Sequence, residues 1–142
     1  MQLRSVVSVL LATVFGLLAA AHVYWALPET GDMHAFVPAS PDGAPLFRPG
    51  RIATLCVAIA LVAAALTVLG AANIVRVIER PHWYRIACWI LGLVLLLRAI
   101  GDFRYVGFFK TRKSGRFAAM DSRCYSPLCA VLSAGCVYLA SR

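Results

Sequence analysis

Charged residues inside apolar segments mark where this sequence could carry out chemistry. Arg98 follows five consecutive apolar residues that begin at Leu93. An ionisable side chain at such depth is expensive, so it marks either a functional site or a structural pair. Asp102 lies four residues further on, a spacing that places both side chains on one face of a helix. Arg98 and Asp102 can therefore pair, which lowers the cost of placing either near hydrocarbon.

Further polar residues are expected at the same end of the molecule. In an up-and-down arrangement, the ends of the first and third helices meet the starts of the second and fourth. His22 is the side chain best suited to exchange a proton near neutral pH, and Trp25, at i+3, shares its helical face. The candidate binding cluster comprises His22, Trp25, Arg98, Asp102, Arg104, Asp121, Arg123 and Tyr125.

These residues allow two interpretations. As a binding site, Arg98 and Arg104 meet negative charge, His22 donates or exchanges a proton, and the rings of Trp25 and Tyr125 pack against an apolar group. As a structural network, charges on the third and fourth spans hold those spans together, and His22 is a hydrogen-bonded packing residue. The charges of the second interpretation are Arg98, Asp102, Asp121 and Arg123.

The composition shows what must position these residues. The 142 residues are 61% hydrophobic and 14% charged, against about 45–50% and about 25% in soluble domains. This excludes an ordinary soluble globular protein, because one small core cannot bury so much apolar surface. The net charge of +8 falls mainly in short basic runs between apolar segments, where it suits anionic lipid headgroups and not nucleic acid.

Four apolar stretches predict an all-α integral membrane four-helix bundle with up-and-down topology, forming one domain over residues 1–142. The spans are predicted at 5–27, 52–74, 85–108 and 123–140, with an irregular Pro-rich loop at 28–50. A cleaved signal peptide is the alternative for the first stretch. The apolar run continues to Leu27, which favours a spanning helix.

Small residues recur at helical spacing on several spans. Ala12, Gly16 and Ala20 form one track, and Ala130 with Ala134 forms another. Such tracks let helices approach closely in lipid, where there is little hydrophobic drive for association. We expect packing within the chain, and the same faces also allow an oligomer.

Metal and thiol chemistry find little support. The three histidines, His22, His34 and His82, fall on different segments, so we expect no metal site. The five cysteines contain no C-x-x-C pair. A disulfide between Cys56 and Cys124 stays open if their membrane face is oxidising. The sequence implies no particular cofactor.

The segment from Leu97 to Lys110, LRAIGDFRYVGFFK, carries a family resemblance together with DSR at 121–123, YSPLC at 125–129 and HVYW at 22–25. These motifs resemble a family of small four-span bacterial membrane proteins, the domain-of-unknown-function 3995 family. The resemblance covers nearly the whole chain except the Pro-rich loop. It implies four spans and a bacterial inner-membrane location, and it supplies no activity.

The sequence therefore predicts a multi-pass membrane protein that binds a small amphipathic or anionic molecule at one membrane face. The alternatives are a membrane-embedded enzyme acting on a lipid-like or quinone-like molecule, a small transporter, and a structural or accessory protein. Basic residues are nearly balanced between the two faces. The usual dominance of the first helix favours cytoplasmic termini.

Overall fold

The computed structural model describes residues 2–27, 50–77, 79–111 and 116–141, and these are helical apart from turns and one loop. The helices are α1 (Leu3–Trp25), α2 (Arg51–Ala71), α3 (Pro81–Ile100), α4 (Arg116–Met120) and α5 (Ser126–Ala140). A π-helical turn, Asp121–Tyr125, joins α4 to α5. The predicted Pro-rich loop lies outside the described residues, except for Gly50.

The described residues contain four helices that are long and apolar enough to cross a membrane, the fourth being Arg116–Ala140. Their outward surfaces carry exposed Leu, Ile and Val side chains such as Leu17, Ile59 and Leu93. In water such a surface would be strongly unfavourable, whereas in lipid it is the expected one. The predicted all-α fold with four membrane-spanning helices is confirmed.

Two of the spans differ from their predicted limits by more than three residues. Helix α3 runs from Pro81 to Ile100 instead of 85–108, because Gly101 adopts a φ of 89° and turns the chain out of the helix. The fourth span begins at Arg116 instead of 123. The π-helical turn lets it continue through Asp121 without a break, which makes it long enough to cross a bilayer of about 30 Å.

The helices form two close antiparallel pairs, α1 with α2 and α3 with α5. Arginines near the N-terminal ends of three helices bind carbonyl oxygens at the C-terminal end of the paired helix. Arg4 donates to Ala71 O at 2.6 Å, Arg51 to Ala26 O at 2.9 Å, and Arg85 to Ala140 O at 3.1 Å. Each cation thereby meets the negative end of a helix dipole and satisfies a terminal carbonyl.

The two pairs meet in a core made of Phe15, Val68, Cys88, Cys136 and Leu139, among other residues. Tyr84 packs so closely over Gly70 that a Cβ there would collide with its ring. Within the pairs, buried hydroxyls bind backbone carbonyls of the neighbouring helix: Ser8 to Val68 and Ser133 to Gly92. Such close contacts are the usual means of joining helices in lipid.

The predicted small-residue tracks are not the main sites of this close packing. Gly16, Ala20 and Ala134 are exposed, and a Cβ at Gly16 would meet no atom within 4 Å. Our expectation of packing within the chain is therefore wrong for these three residues, whereas Ala12 does pack against the core. At Gly70, Gly92 and Gly135, by contrast, a Cβ would lie within 3 Å of a side chain of a neighbouring helix. An oligomer formed through the small-residue faces stays a prediction.

Candidate functional site

Asp121 is a fully buried carboxylate at the start of the π-helical turn. Its Oδ1 accepts a hydrogen bond from Arg98 Nη2 at 2.9 Å. Its Oδ2 accepts from Lys110 Nζ and from the backbone N–H of Gly107, each at 2.8 Å. A buried charge is tolerated only when it is paired and hydrogen-bonded, and Asp121 meets both conditions. We call Arg98, Lys110 and Asp121 the Asp121 cluster.

Lys110 is the most enclosed cation of the Asp121 cluster, with 1% of its side chain exposed. Besides Asp121, its ammonium group donates to Ser122 Oγ at 2.7 Å and to Gly107 O at 3.2 Å. Three acceptors match the three N–H donors of a lysine ammonium group. Lys110 therefore has no remaining capacity to bind a ligand, and its role in the cluster is to fix the geometry.

Arg98 is different, because 35% of its side chain is exposed. One guanidinium nitrogen, Nη2, binds Asp121. The other, Nη1, is buried and has no hydrogen-bond partner among the described residues, and the same is true of the hydroxyl of Ser126. Ser126 follows Asp121 by one π-helical turn, and its backbone N–H donates to Asp121 O. Arg98 and Ser126 both donate a hydrogen bond to Asp121, and each thus carries a buried polar group without a partner among the described residues.

A loop formed by residues 101–111 places Gly107 and Lys110 against Asp121. Gly101 and Gly107 have φ values of 89° and 92°. A Cβ on Gly101 would collide with Val106 O, and one on Gly107 would collide with Ile100 O. Both positions therefore require glycine for conformation and for space.

Asp102 organises the interior of the 101–111 loop. Its Oδ1 accepts hydrogen bonds from the backbone N–H groups of Arg104, Tyr105 and Val106, at 2.7 to 2.9 Å. Partial burial acts to raise the pKa of Asp102, but these N–H donors outweigh it and hold the pKa below the ordinary value. Asp102 is therefore held as a carboxylate by the loop backbone.

The predicted ion pair between Arg98 and Asp102 is wrong. The prediction assumed that the helix continues through residue 102, whereas α3 ends at Ile100 and the chain reverses at Gly101. Asp102 consequently binds backbone N–H groups of the loop. Arg98 on α3 pairs with Asp121 on the fourth span. Of the predicted charge network between the third and fourth spans, the pair of Arg98 and Asp121 is present, whereas no described ion pair includes Asp102 or Arg123. Lys110 is the second cation bound to Asp121.

Among the described contacts, the other predicted residues lie apart from the Asp121 cluster, except for Tyr125. His22 Nδ1 donates to Leu18 O at 2.7 Å, and its ring lies edge-on to Trp25 with centroids 5.0 Å apart. The guanidinium of Arg104 lies 5.2 Å from the ring centroid of Tyr105. Tyr125 contacts Phe117 and also interacts electrostatically with Asp121, and Arg123 is exposed. The structure thus brings Arg98 and Asp121 together in one cluster, with Tyr125 beside it.

Lys110, Gly107 and Ser126 are missed by the sequence prediction. Lys110 begins a basic run, 110–116, for which the sequence predicts contact with anionic lipid headgroups. One signal pointed to it: Asp121 is the sole acidic residue of the fourth span and requires a buried cation. The five cysteines are free thiols. The described residues hold no group of three or more His, Cys, Asp or Glu side chains arranged for a metal.

These features define a multi-pass membrane protein whose buried charges gather at one end of its helices. The chain belongs to the family described as protein of unknown function (DUF3995), whose model matches residues 15–136. No curated protein and no solved structure matches the chain. Family membership agrees with the resemblance carried by the motifs around Arg98 and Asp121.

Proposed function

We propose that the protein binds a small amphipathic molecule with an anionic headgroup at the Asp121 cluster. The observation that carries this proposal is the state of Arg98. Its Nη2 is fixed by Asp121, its Nη1 lacks a partner among the described residues, and 35% of its side chain is exposed. A fixed guanidinium with an unused donor favours a carboxylate or phosphate oxygen.

The charge balance of the Asp121 cluster supports an anionic ligand. Two cations, Arg98 and Lys110, surround one carboxylate, which leaves one positive charge in a site of reduced polarity. Electrostatic attraction is stronger in such a site than in water. The hydroxyl of Ser126, which is buried and unpartnered among the described residues, offers a hydrogen bond to the same headgroup.

The surroundings of Arg98 support an amphipathic molecule. Val94, one turn before Arg98 on α3, and Leu97, its immediate neighbour, are each 56% exposed. In a bilayer these side chains face acyl chains. A ligand with its headgroup at Arg98 can therefore lay an apolar tail along α3, and it can reach the site from within the membrane.

The same contacts support a second candidate, a purely structural role. Asp121 joins α3, the 101–111 loop and the fourth span through Arg98, Lys110 and Gly107. A buried carboxylate with three such partners fixes the positions of these elements whether or not a ligand binds. The two proposals differ in what Ser126 does, because no described hydrogen bond of the fold depends on its hydroxyl.

Native mass spectrometry of protein purified in a mild detergent tests the binding proposal. We expect a defined adduct on the wild type that is lost in Arg98→Lys and in Ser126→Ala. Arg116→Lys and Ser141→Ala are matched controls at exposed positions and keep the adduct. The adduct mass distinguishes a lipid from a free inorganic or organic anion.

Two results would contradict binding at this site. One is a wild-type spectrum without an adduct; the other is an adduct retained in folded Ser126→Ala and Arg98→Lys. Either result favours the structural role. Circular dichroism and elution volume identify the variants that remain folded, and Ser126→Ala keeps the test decisive if Arg98→Lys does not fold.

We also propose that the protein resides in the bacterial inner membrane with both termini in the cytoplasm. The family resemblance and the usual dominance of the first helix support this placement. A fluorescent or phosphatase reporter fused after Arg142 tests it. Cytoplasmic termini predict a fluorescent fusion and an inactive phosphatase, and the reverse pattern would overturn the proposed orientation.

A further inference from the structure

The 101–111 loop presents aromatic side chains outward at the end of α3. Phe103, Phe108 and Phe109 are 61%, 49% and 63% exposed. The rings of Phe103 and Phe109 contact each other, with centroids 6.3 Å apart. Three exposed phenylalanines within one short loop form an apolar patch that is unfavourable in water.

Backbone N–H groups along the 101–111 loop form hydrogen bonds within the protein, although a loop in water could donate them to the solvent. The N–H of Gly101 donates to Leu97 O, that of Asp102 to Val106 O, and those of residues 104–106 to Asp102 Oδ1. The N–H of Gly107 binds Asp121, and that of Thr111 binds Phe103 O. A loop surrounded by water can leave such groups to the solvent, whereas irregular backbone near lipid needs internal partners.

The 101–111 loop also stays near the hydrocarbon boundary. The N–H groups of Phe108 and Phe109 bind the carbonyls of Ala99 and Ile100, the last two residues of α3. The loop therefore folds back onto the end of its own span. Because a helix of 20 residues measures about 30 Å, close to the hydrocarbon thickness, the end of α3 lies at the membrane interface.

The charges of the loop are placed in agreement with this location. Lys110 is buried against Asp121, and the Oδ1 of Asp102 is occupied by three N–H groups. Arg104 is exposed and lies over the ring of Tyr105. Arginine and tyrosine together suit the headgroup layer, where both are favoured. Basic charge beside an apolar patch also complements an anionic lipid surface.

We propose that the 101–111 loop is a non-helical wedge embedded in one interface of the bilayer, with Phe103, Phe108 and Phe109 inserted among the acyl chains of the lipids. The bilayer is the occupant of this apolar patch. The inference is independent of ligand binding at Arg98, because it rests on the outward phenylalanines and the paired backbone.

Depth-dependent quenching of tryptophan fluorescence tests the wedge. Trp25, Trp83 and Trp89 are the three tryptophans of the chain, and a background with all three changed to Phe accepts a single new probe. Phe109→Trp and Phe103→Trp are made separately in this background. The proteins are reconstituted into phosphatidylcholine and phosphatidylglycerol bilayers with acyl chains brominated near the headgroup.

Two further single-tryptophan proteins calibrate the measurement. Retaining Trp89 alone reports a lipid-facing position, because it is 50% exposed in the middle of α3. Glu79→Trp reports an exposed position in the turn before α3. Because the bromines lie near the headgroups and Trp89 lies deeper, we expect brominated lipid to quench Phe109→Trp and Phe103→Trp at least as strongly as Trp89. Aqueous acrylamide should quench them far less than Glu79→Trp.

Two outcomes would overturn the wedge. Quenching by acrylamide at the level of Glu79→Trp, without quenching by brominated lipid, places the loop in water. Weak quenching by both agents means that protein covers the phenylalanines, such as the segment 28–49 or a second copy. The two probes are read independently, so either folded variant suffices.

Discussion

Replacing Lys110 by Met removes one of the two cations that neutralise Asp121 and leaves a fully buried carboxylate with Arg98 as its remaining charged partner. Breaking a buried ion pair from one side costs about 3–5 kcal/mol. The ammonium group also loses its hydrogen bonds to Ser122 and Gly107. We therefore expect Lys110→Met to lower the free energy of unfolding by about 3–5 kcal/mol.

Reversible unfolding in mixed micelles, with increasing fractions of a denaturing detergent, measures this loss. Arg123→Met is the matched control, because it removes a positive charge from an exposed position of the same helical region and should change the stability by less than about 0.5 kcal/mol. A double variant with Asp121→Asn removes the buried carboxylate together with Lys110. It should recover part of the loss, since no unpaired buried carboxylate remains.

The reasoning fails if Lys110→Met is no more destabilising than Arg123→Met. It fails equally if the effects of Lys110→Met and Asp121→Asn simply add, because independent effects would mean that the two side chains do not interact energetically. Both results would make the short contact between Lys110 and Asp121 irrelevant to stability.

Three further outcomes follow from the loop and the helix packing. Gly107→Ala should destabilise the protein by about 1–3 kcal/mol because of its positive φ and the collision with Ile100 O. Gly16→Ala, in open space on α1, should stabilise it by about 0.5–1 kcal/mol. Unfolding in denaturing detergent compares the two variants, and equal effects would refute the requirement for glycine at residue 107. Gly70→Ala should lower the melting temperature through its collision with Tyr84, and an unchanged temperature would contradict the packing described. Because the pKa of Asp102 is lowered, its carboxylate stabilises the loop fully above the ordinary aspartate pKa and loses this effect as the pH falls through the lowered value. The NMR chemical shifts of the amides of residues 104–106 should follow this transition. Wild-type amide shifts equal to those of Asp102→Asn at neutral pH would refute this role of Asp102.

Hydropathy alone predicted the four spans because each is a long apolar run without internal acidic residues until Asp121. The depth of Arg98 also identified the most informative charge of the site. Both predictions depend on local composition, which the sequence displays directly. The same holds for α1, whose observed limits lie within two residues of the predicted ones.

Local composition could not predict the ion-pair partner of Arg98. The spacing to Asp102 was correct for a helix, but Gly101 ends the helix one residue earlier. Which acidic residue then reaches Arg98 depends on how α3 packs against the fourth span, and that arrangement is not local. Lys110 shows the same limit, because its burial follows from the fold of the 101–111 loop and not from its own neighbours in sequence.

The arginine caps have a consequence for how the chain assembles. Arg4 and Arg51 each bind the far end of the other helix of the α1–α2 pair. All four groups of this reciprocal arrangement are present once residue 71 has been synthesised. The first hairpin can therefore close its caps before the second has entered the membrane, and domains are generally folded in this N-terminal-first order.

The second hairpin differs in its timing. Arg85 requires the carbonyl of Ala140, and Arg98 requires the carboxylate of Asp121. Arg98 lies at the membrane boundary, and its partner Asp121 is 23 residues further along the chain, so Asp121 is synthesised later. Until the fourth span arrives, this positive charge has to remain near the headgroups or at the insertion machinery. Substitutions of Asp121 should therefore act when the second hairpin inserts. They should leave a chain in which this hairpin is incompletely inserted.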